Sequence, residues 1–280
     1  MDIVAIPRTM PSPGDEVTLD RLDIVCGGAA FNCAVAAARA GTLVKALGLV
    51  GEDEFGAQLL RELSDHGVDA SQVQSRPGRT GTVVSIVAPG GERTLYSYRG
   101  VNGEQFTALP SLRAGDHVYL SGYSLQEASS RQPARELKRR AALAGAVCLL
   151  DPSFQSAATL VESGFLEGLD WITPNAAESR LMTGGMEPAV LRALGVRNAV
   201  ITLGAEGCVL ETPSIPCTLV PSETVAGVNS TGAGDAFCGG LLAALMKGCC
   251  PLEAASFANR AAASALCGGG RPETPRSSIR

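Results

Sequence analysis

Short apolar runs alternate with longer mixed segments through the second half of the chain, and this order predicts strands that alternate with helices. Strands are expected at 117–121, 147–150, 171–173 and 199–203, and helices at 127–144, 235–248 and 252–266. Such an alternation predicts a parallel sheet with crossover helices, whose ligands lie beyond the carboxyl ends of the strands. Four polar residues fall at those ends: Ser121, Asp151, Asn175 and Thr202.

The first half of the chain follows a different pattern. Residues 1–6 and 43–50 predict apolar strands, and residues 53–66 predict a helix with an acidic first turn. Three further β-rich runs surround turns, at 17–25, 80–87 and 94–98. A few strands cannot form a stable domain alone, so we expect them to make a small sheet that covers a site.

Composition and charge narrow the class of protein. The chain has 280 residues, of which 45% are apolar and 18% are charged, which is typical of a folded domain rather than a disordered one. The net charge of −5 argues against nucleic acid or an anionic membrane as a partner. The chain shows neither a basic leader followed by an apolar segment nor about 18 consecutive apolar residues, so we expect a cytoplasmic protein.

The cysteines do not suggest a metal site. There are nine cysteines and two histidines, with no C-x-x-C pair and no histidine at ligand spacing from a cysteine. We therefore expect buried, reduced thiols rather than a zinc site.

The stretch 229–237, N-S-T-G-A-G-D-A-F, contains the strongest chemical signal. Gly232, Ala233 and Gly234 lead into an apolar run of helical length, and Asp235 lies at its start. Free backbone N–H groups and the positive end of a helix dipole would bind an anion there. Asp235 would then act as a base for a nucleophile, although an aspartate at this place is also an ordinary helix cap.

A second loop-to-helix junction precedes the Ala-rich run 34–40. Gly27 and Gly28 allow a ligand to approach the backbone, and Asn32 offers a donor and an acceptor to a hydroxylated ligand. A turn with an asparagine cap explains the same residues without a ligand.

The segment T-P-N-A-A-E at 173–178 also allows two interpretations. Asn175 can cap the next helix, and Glu178 three residues later completes a capping box. The same pair lies on one helical face, where it could orient water on a magnesium ion.

These motifs together resemble the signatures of the PfkB/ribokinase family of carbohydrate and nucleoside kinases. Four motifs of the family have counterparts along nearly the whole chain. In chain order they are G-G-x-x-x-N-x-A, G-x-V-G-x-D-x-F-G, N-x-x-E and D-T-x-G-A-G-D-x-F, which is also their order in the family. One departure is Asn229, which stands where the family commonly has an aspartate. The family's first strand is also longer than the one seen here.

The resemblance implies an α/β protein with a ribokinase-like three-layer α/β/α fold. Its central sheet would be mostly parallel and would carry a small β-sheet lid. Residues 1–280 would form one kinase domain, with lid segments at about 10–26 and 78–100 inserted in it. Relatives sometimes use the lid as a dimer surface, so a homodimer through the lid is expected.

The resemblance also implies roles for individual residues. Asp235 would be the general base, and Gly232, Ala233 and Gly234 would form the anion hole. Three residues would contact the substrate: Asp2, Gly28 and Asn32. Five would contact the nucleotide: Asn175, Thr202, Gly204, Gly207 and Asn259. Glu178 would hold magnesium through water.

The expected reaction is transfer of phosphate from ATP to a hydroxyl, a primary alcohol, of a sugar or sugar derivative. ATP and Mg²⁺ are the implied cofactors, while Asn229 puts activation by a monovalent cation such as K⁺ in doubt. The sequence contains no G-x-x-x-x-G-K-[ST] motif, so a P-loop is not expected. Two alternatives stay open: an adenosine- or pseudouridine-type nucleoside kinase, and a catalytically weak sugar-binding or regulatory relative.

Overall fold

The computed structural model describes residues 1–90, 92–104, 106, 108–222 and 232–266. In these ranges the strands are β1 Asp2–Pro7, β2 Leu19–Val25, β3 Val44–Gly51, β4 Val68–Arg76, β5 Thr82–Val87, β6 Arg93–Tyr98, β7 His117–Ser121, β8 Val147–Asp151, β9 Trp171–Ile172, β10 Asn198–Thr202, β11 Cys208–Glu211 and β12 Thr218–Val220. The helices are α1 Ala29–Arg39, α2 Glu54–Asp65, α3 Ala128–Ala144, α4 Ala157–Glu162, α5 Ala176–Thr183, α6 Pro188–Ala193, α7 Ala233–Met246 and α8 Pro251–Leu266.

The largest sheet has the strand order β12-β11-β10-β9-β8-β7. Strands β7 to β10 run parallel, and β11 and β12 continue the sheet in antiparallel pairs. This arrangement confirms the mostly parallel central sheet that the alternating pattern predicts. Strand β12, with only three residues, gives too short a pattern to be recognised in the sequence.

Helices cover both faces of this sheet. Because side chains alternate along a strand, Leu149 and Val200 point to one face, where they pack with residues of α1, α7 and α8. Leu150 and Ile201 point to the other face and pack with residues of α3, α4, α5 and α6. All four side chains are fully buried. The result is the expected three-layer α/β/α arrangement.

A second sheet contains the three β-rich runs of the first half, in the order β2-β1-β5-β6. The sequence did not reveal that β1 lies in the middle of this sheet, antiparallel to β2 and parallel to β5. Asp2 is opposite Val25 and Val83 in the register. Strands β3 and β4 form a separate parallel pair. Strand β4 was not predicted, because the polar run D-A-S-Q in residues 69–72 hides its pattern.

The described residues contain neither a disulfide bond nor a helix that could span a membrane. All eight cysteines among the described residues are free, and Cys217 and Cys250 are exposed rather than buried as expected. Among these residues, every helix is too short or too polar to cross a bilayer.

Asp53 ties the small sheet to the body of the protein. It caps α2 by accepting a hydrogen bond from the Gly56 N–H at 2.9 Å, and its other oxygen accepts from the Thr80 N–H at 2.9 Å. The buried Thr80 hydroxyl donates to Asp53 and accepts from the Gly51 N–H at 2.9 Å. Burial opposes ionisation of Asp53, but the hydrogen bonds from Thr80 and Gly56 outweigh it and lower the pKa. Thr80 lies two residues before β5, the partner of β1, so this cluster also helps to place Asp2.

We expect the substitution Asp53→Ala to lower the free energy of unfolding by about 1–3 kcal/mol, because it removes a helix cap and leaves buried donors unpaired. Equilibrium denaturation in guanidinium chloride measures this change. Glu52→Ala, at an exposed neighbouring position, is the control and should change stability by less than about 0.5 kcal/mol. Equal midpoints for the two variants would contradict the role given to Asp53.

Candidate active site

Helix α7 begins at Ala233, directly after a glycine in a conformation that other residues rarely adopt. Gly232 is the residue that caps the helix, and its φ is 81°. Since glycine has no side chain, it makes no side-chain hydrogen bond to the first amides of the helix. Asp235 is the third helical residue. The structure therefore has the glycine turn and helix start that the sequence predicts.

A cavity of about 160 Å³ opens at this helix start. It lies beyond the carboxyl ends of the central strands, where a ligand of such a sheet is expected. It is lined by Ser121, Tyr123, Asp151, Pro152, Ser153, Thr173, Asn175, Glu178, Thr202, Gly232, Gly234 and Asp235. The four polar residues that follow the predicted strands thus meet in one cavity, next to Asp235.

Asp235 is hydrogen-bonded to a residue of another helix. The Asn32 side-chain amide, in the first turn of α1, donates to Asp235 Oδ2 at 2.8 Å. Burial raises the pKa of Asp235, the hydrogen bond from Asn32 opposes that rise, and the charge of Asp2 adds to it. The described hydrogen bond of Asp235 thus goes to Asn32 of α1 and not to the start of its own helix.

Asp2, Gly28 and Asn32 are not among the lining residues of the cavity, but all three lie at or against the start of α1. The Asp2 carboxylate packs so closely on Gly27 that a Cβ there would overlap Oδ2. Burial also raises the pKa of Asp2. Gly28 is the residue before α1, with a φ of 111°, and a Cβ placed on it would meet no atom within 4 Å. The space beside Gly28 is therefore open to a ligand.

Asn175 and Glu178 form the capping box that the sequence suggests. Asn175 Oδ1 accepts hydrogen bonds from the N–H groups of Ala177 and Glu178, and Glu178 Oε2 accepts from the Asn175 N–H, each at 2.9 Å. Both residues also line the cavity. Burial, with a smaller contribution from Asp235, raises the pKa of Glu178 from 4.5 to about 7.

Asp151 and Tyr123 line the cavity, although the sequence analysis gives neither of them a chemical role. The Tyr119 hydroxyl donates to Asp151 Oδ2 at 3.0 Å. Burial and the charges of Asp235 and Glu178 raise the pKa of Asp151 well above its usual range. Tyr123 follows β7 in a short 3₁₀ helix, Gly122–Leu125. Only the position of Asp151 at a strand end could have indicated its place here.

The residues expected at the nucleotide are divided between two places. Asn175 and Thr202 line the cavity, while Gly204, Gly207 and Asn259 are not among its lining residues. The buried Asn259 amide instead donates to the carbonyls of Val220 at 3.0 Å and Pro221 at 3.2 Å.

Gly207 approaches the same segment as Asn259. Its φ is 101°, and a Cβ on it would overlap the Val220 carbonyl. Gly207 and Asn259 thus support residues 220–222, beside the β10–β11 turn that holds Gly204. Ala233 is also outside the cavity lining, and Asn229 lies outside the described residues.

The cavity is lined by side chains with oxygen atoms, which are the ligands that a magnesium ion prefers. Asp151, Asn175 and Glu178 line it, and burial penalises the charged form of both acids. A bound divalent cation would compensate that charge, so these residues fit a magnesium–nucleotide complex.

Comparison with known proteins identifies the family. The family model described as pfkB family carbohydrate kinase matches residues 1–274. Ribokinase of Mus musculus is 29% identical over 252 residues, which cover 86% of this chain and 77% of that protein.

Two solved structures share the fold. Aminoimidazole riboside kinase from Salmonella enterica, complexed with aminoimidazole riboside and an ATP analog, is 26% identical with a TM-score of 0.77 and covers 98% of this chain and 94% of that chain. Fructokinase from Vibrio cholerae O395, with fructose, ADP and calcium ion bound, is 26% identical with a TM-score of 0.78 and covers 98% and 93%.

We expect Glu178→Gln to stabilise the protein without nucleotide or metal at pH 8 but not at pH 4.5. A carboxyl whose pKa is raised on folding costs stability as pH rises from its unfolded value of 4.5 to about 7. The amide keeps an acceptor for the Asn175 N–H and removes the charge. The gain at pH 8 should be on the order of 1–3 kcal/mol, measured by chemical denaturation.

Glu162→Gln, at an exposed position, is the control and should change stability little at either pH. If Glu178→Gln lowered stability equally at both pH values, the carboxylate would serve the capping box alone.

Proposed function

The chain belongs to the pfkB family of carbohydrate kinases, and we propose that it transfers the γ-phosphoryl group of ATP to a hydroxyl, a primary alcohol, of a sugar or sugar derivative. One observation carries this proposal. Asp235 lies beside a cavity of about 160 Å³, in the first turn of a helix whose preceding residue has no side chain to cap it. The proposed base, Asp235, and the proposed anion-binding site, the N-terminus of α7, therefore lie side by side.

In this proposal Asp235 accepts the proton of the acceptor hydroxyl. The pKa of an aspartate is far below that of an alcohol, even after burial raises it. Proton removal must therefore accompany phosphoryl transfer rather than precede it, as suits a loose transition state dominated by positioning. The hydrogen bond from Asn32 fixes the orientation of the carboxylate.

The start of α7 would stabilise the charge on the transferring group. The N–H groups of Gly232, Ala233 and Gly234 lie at the positive end of the helix dipole, which is equivalent to roughly half a charge. Donors that are already oriented need no rearrangement when the charge develops. Glycine at 232 and 234 keeps this surface free of side chains.

The nucleotide would lie on the opposite side of the cavity from Asn32. Asn175 and Thr202 are the expected contacts at the cavity, and the β10–β11 turn with Gly204 and Gly207 is the neighbouring surface. Glu178 would hold water molecules of a magnesium ion, which supplies positive charge to the phosphates when bound. Asn259 would act on this side through residues 220–222, which it holds.

The acceptor would be held by Asp2, Gly28 and Asn32. A carboxylate, an open glycine backbone and an amide are suited to hydroxyl groups of a sugar. A nucleoside is the second candidate, because one similar structure is a riboside kinase that binds its riboside. We infer that the reaction takes place in the cytoplasm, where ATP is available.

We expect Asp235→Asn to lower kcat by roughly 10²–10⁴-fold with little change in folding or ATP affinity, because the amide keeps the size but cannot accept the proton. Measurements of ADP release, thermal unfolding and nucleotide binding test this. Asp65→Asn, near the end of α2, is a control that should retain full activity. Unchanged turnover of Asp235→Asn would refute the assignment of the base.

A panel of acceptors tests the substrate class. Purified protein with ATP and Mg²⁺ is assayed for ADP release with free sugars, sugar phosphates and nucleosides, with and without potassium. Turnover of a sugar supports the proposal, and turnover of nucleosides alone supports the second candidate. Ligand-stabilised melting without ADP release would identify a sugar-binding relative and contradict the proposal.

We also propose that segments 10–26 and 78–100 act as a lid and that two copies associate through it. Its edge strands carry several exposed large side chains, among them Leu22, Ile24, Tyr96 and Tyr98. Exposed apolar patches of this kind are typical of interfaces.

We expect light scattering to give the mass of a dimer for the wild type and of a monomer for the double variant Ile24→Lys/Tyr96→Lys, because the added charges would be buried at the interface. A matched variant, Leu143→Lys, places the charge at an exposed site on α3 and should stay dimeric. A monomeric wild type at micromolar concentration would contradict the dimer.

A further inference from the structure

Helix α7 contains two adjacent buried glycines that face different helices. A Cβ on Gly239 would overlap the Cys33 carbonyl of α1 and lie 2.8 Å from the Ala36 Cβ. A Cβ on Gly240 would lie 2.7 Å from the Ala261 Cβ of α8. Real Cβ atoms do not approach other atoms this closely, so each glycine permits one close helix contact.

The contact at Gly239 lies next to the proposed catalytic pair. Cys33 directly follows Asn32, whose amide donates to Asp235 at 2.8 Å. At the start of α7, a Cβ on Gly232 would lie 3.1 Å from Asn32 Nδ2. Gly232, just before α7, and Gly239 within it therefore allow α1 to approach, one beside the Asn32 amide and one beside the following carbonyl.

We propose that Gly239 is a positioning residue that sets the distance between the acceptor side of the site on α1 and the base on α7. This inference rests on the proposed function, in which Asn32 contacts the acceptor and Asp235 is the base. Alanine is the stronger helix former, so a glycine within this helix is explained by the contact rather than by helix stability. A methyl group at 239 must move α1, because the atom it meets belongs to the backbone.

The neighbouring glycine provides a matched control. Gly239→Ala and Gly240→Ala make the same chemical change, one residue apart, in the same buried helix. Gly240 faces α8, which carries Asn259 and supports residues 220–222 on the nucleotide side. A purely structural role predicts similar defects in both variants, whereas positioning predicts a defect that depends on which helix is moved.

We expect Gly239→Ala to lower kcat/KM for the acceptor by roughly 10–100-fold, since a displacement on the order of 1 Å can cost about 10²-fold in rate. Its KM for ATP should change less than about threefold. Gly240→Ala should keep acceptor kcat/KM within about threefold and affect mainly the KM for ATP. Steady-state kinetics with each substrate varied, on protein with cooperative unfolding, give these values.

A second variant covers the case in which Gly239→Ala does not fold. Ala36→Val adds bulk to the same contact from α1, at a partly exposed position, and should change the same parameters in the same direction. Acceptor kinetics of Gly239→Ala and Ala36→Val that match those of Gly240→Ala would overturn the inference.

A crystal structure gives a readout that does not depend on any substrate. In Gly239→Ala or Ala36→Val the distance from Asn32 Nδ2 to Asp235 Oδ2 should exceed 3.5 Å, against 2.8 Å in the wild type. An unchanged distance would overturn the positioning role. Absence of turnover in the wild type, with the distance lengthened as expected, would contradict only the proposed function.

Discussion

The hydrogen bond between Asn32 and Asp235 is the contact on which the site depends. It joins the first turns of α1 and α7, which come from opposite ends of the chain. A carboxylate withdrawn from water needs a donor, and Asn32 supplies one without neutralising the charge. The bond can form only because α1 and α7 pack closely, and Gly232 and Gly239 leave room for this. The distance between Asn32 Nδ2 and Asp235 Oδ2 therefore depends on how closely the two helices pack.

Three acidic side chains lie close together around the cavity, and their charges would lower the stability of the folded protein. Asp151, Glu178 and Asp235 surround one small space, and burial raises the pKa of each. Like charges in such a space disfavour the folded protein unless protons or cations accompany them. A bound magnesium ion would supply such positive charge, so the arrangement is understandable as a site that a cation stabilises. A cavity built for packing alone would have apolar walls.

The sequence predicted the parallel strands β7 to β10 and their polar end residues because short apolar runs alternate with helical segments there. It predicted the start of α7 because glycines followed by an apolar run indicate a loop that enters a helix. It missed β4, whose polar positions hide the strand, and the place of β1, since strand pairing depends on distant residues. The bond between Tyr119 and Asp151 was equally invisible, because it crosses between neighbouring strands 32 residues apart. Local chemistry was readable, whereas contacts between distant segments required the structure.

The most direct measurement is a crystal structure with an acceptor and a non-hydrolysable ATP analogue bound. The account predicts that the reacting hydroxyl lies about 2.6–3.2 Å from a carboxylate oxygen of Asp235. It also predicts that the terminal phosphate contacts the backbone N–H groups at the start of α7. A complex in which Asp235 faces away from the hydroxyl, or in which the phosphate lies elsewhere, would contradict the account.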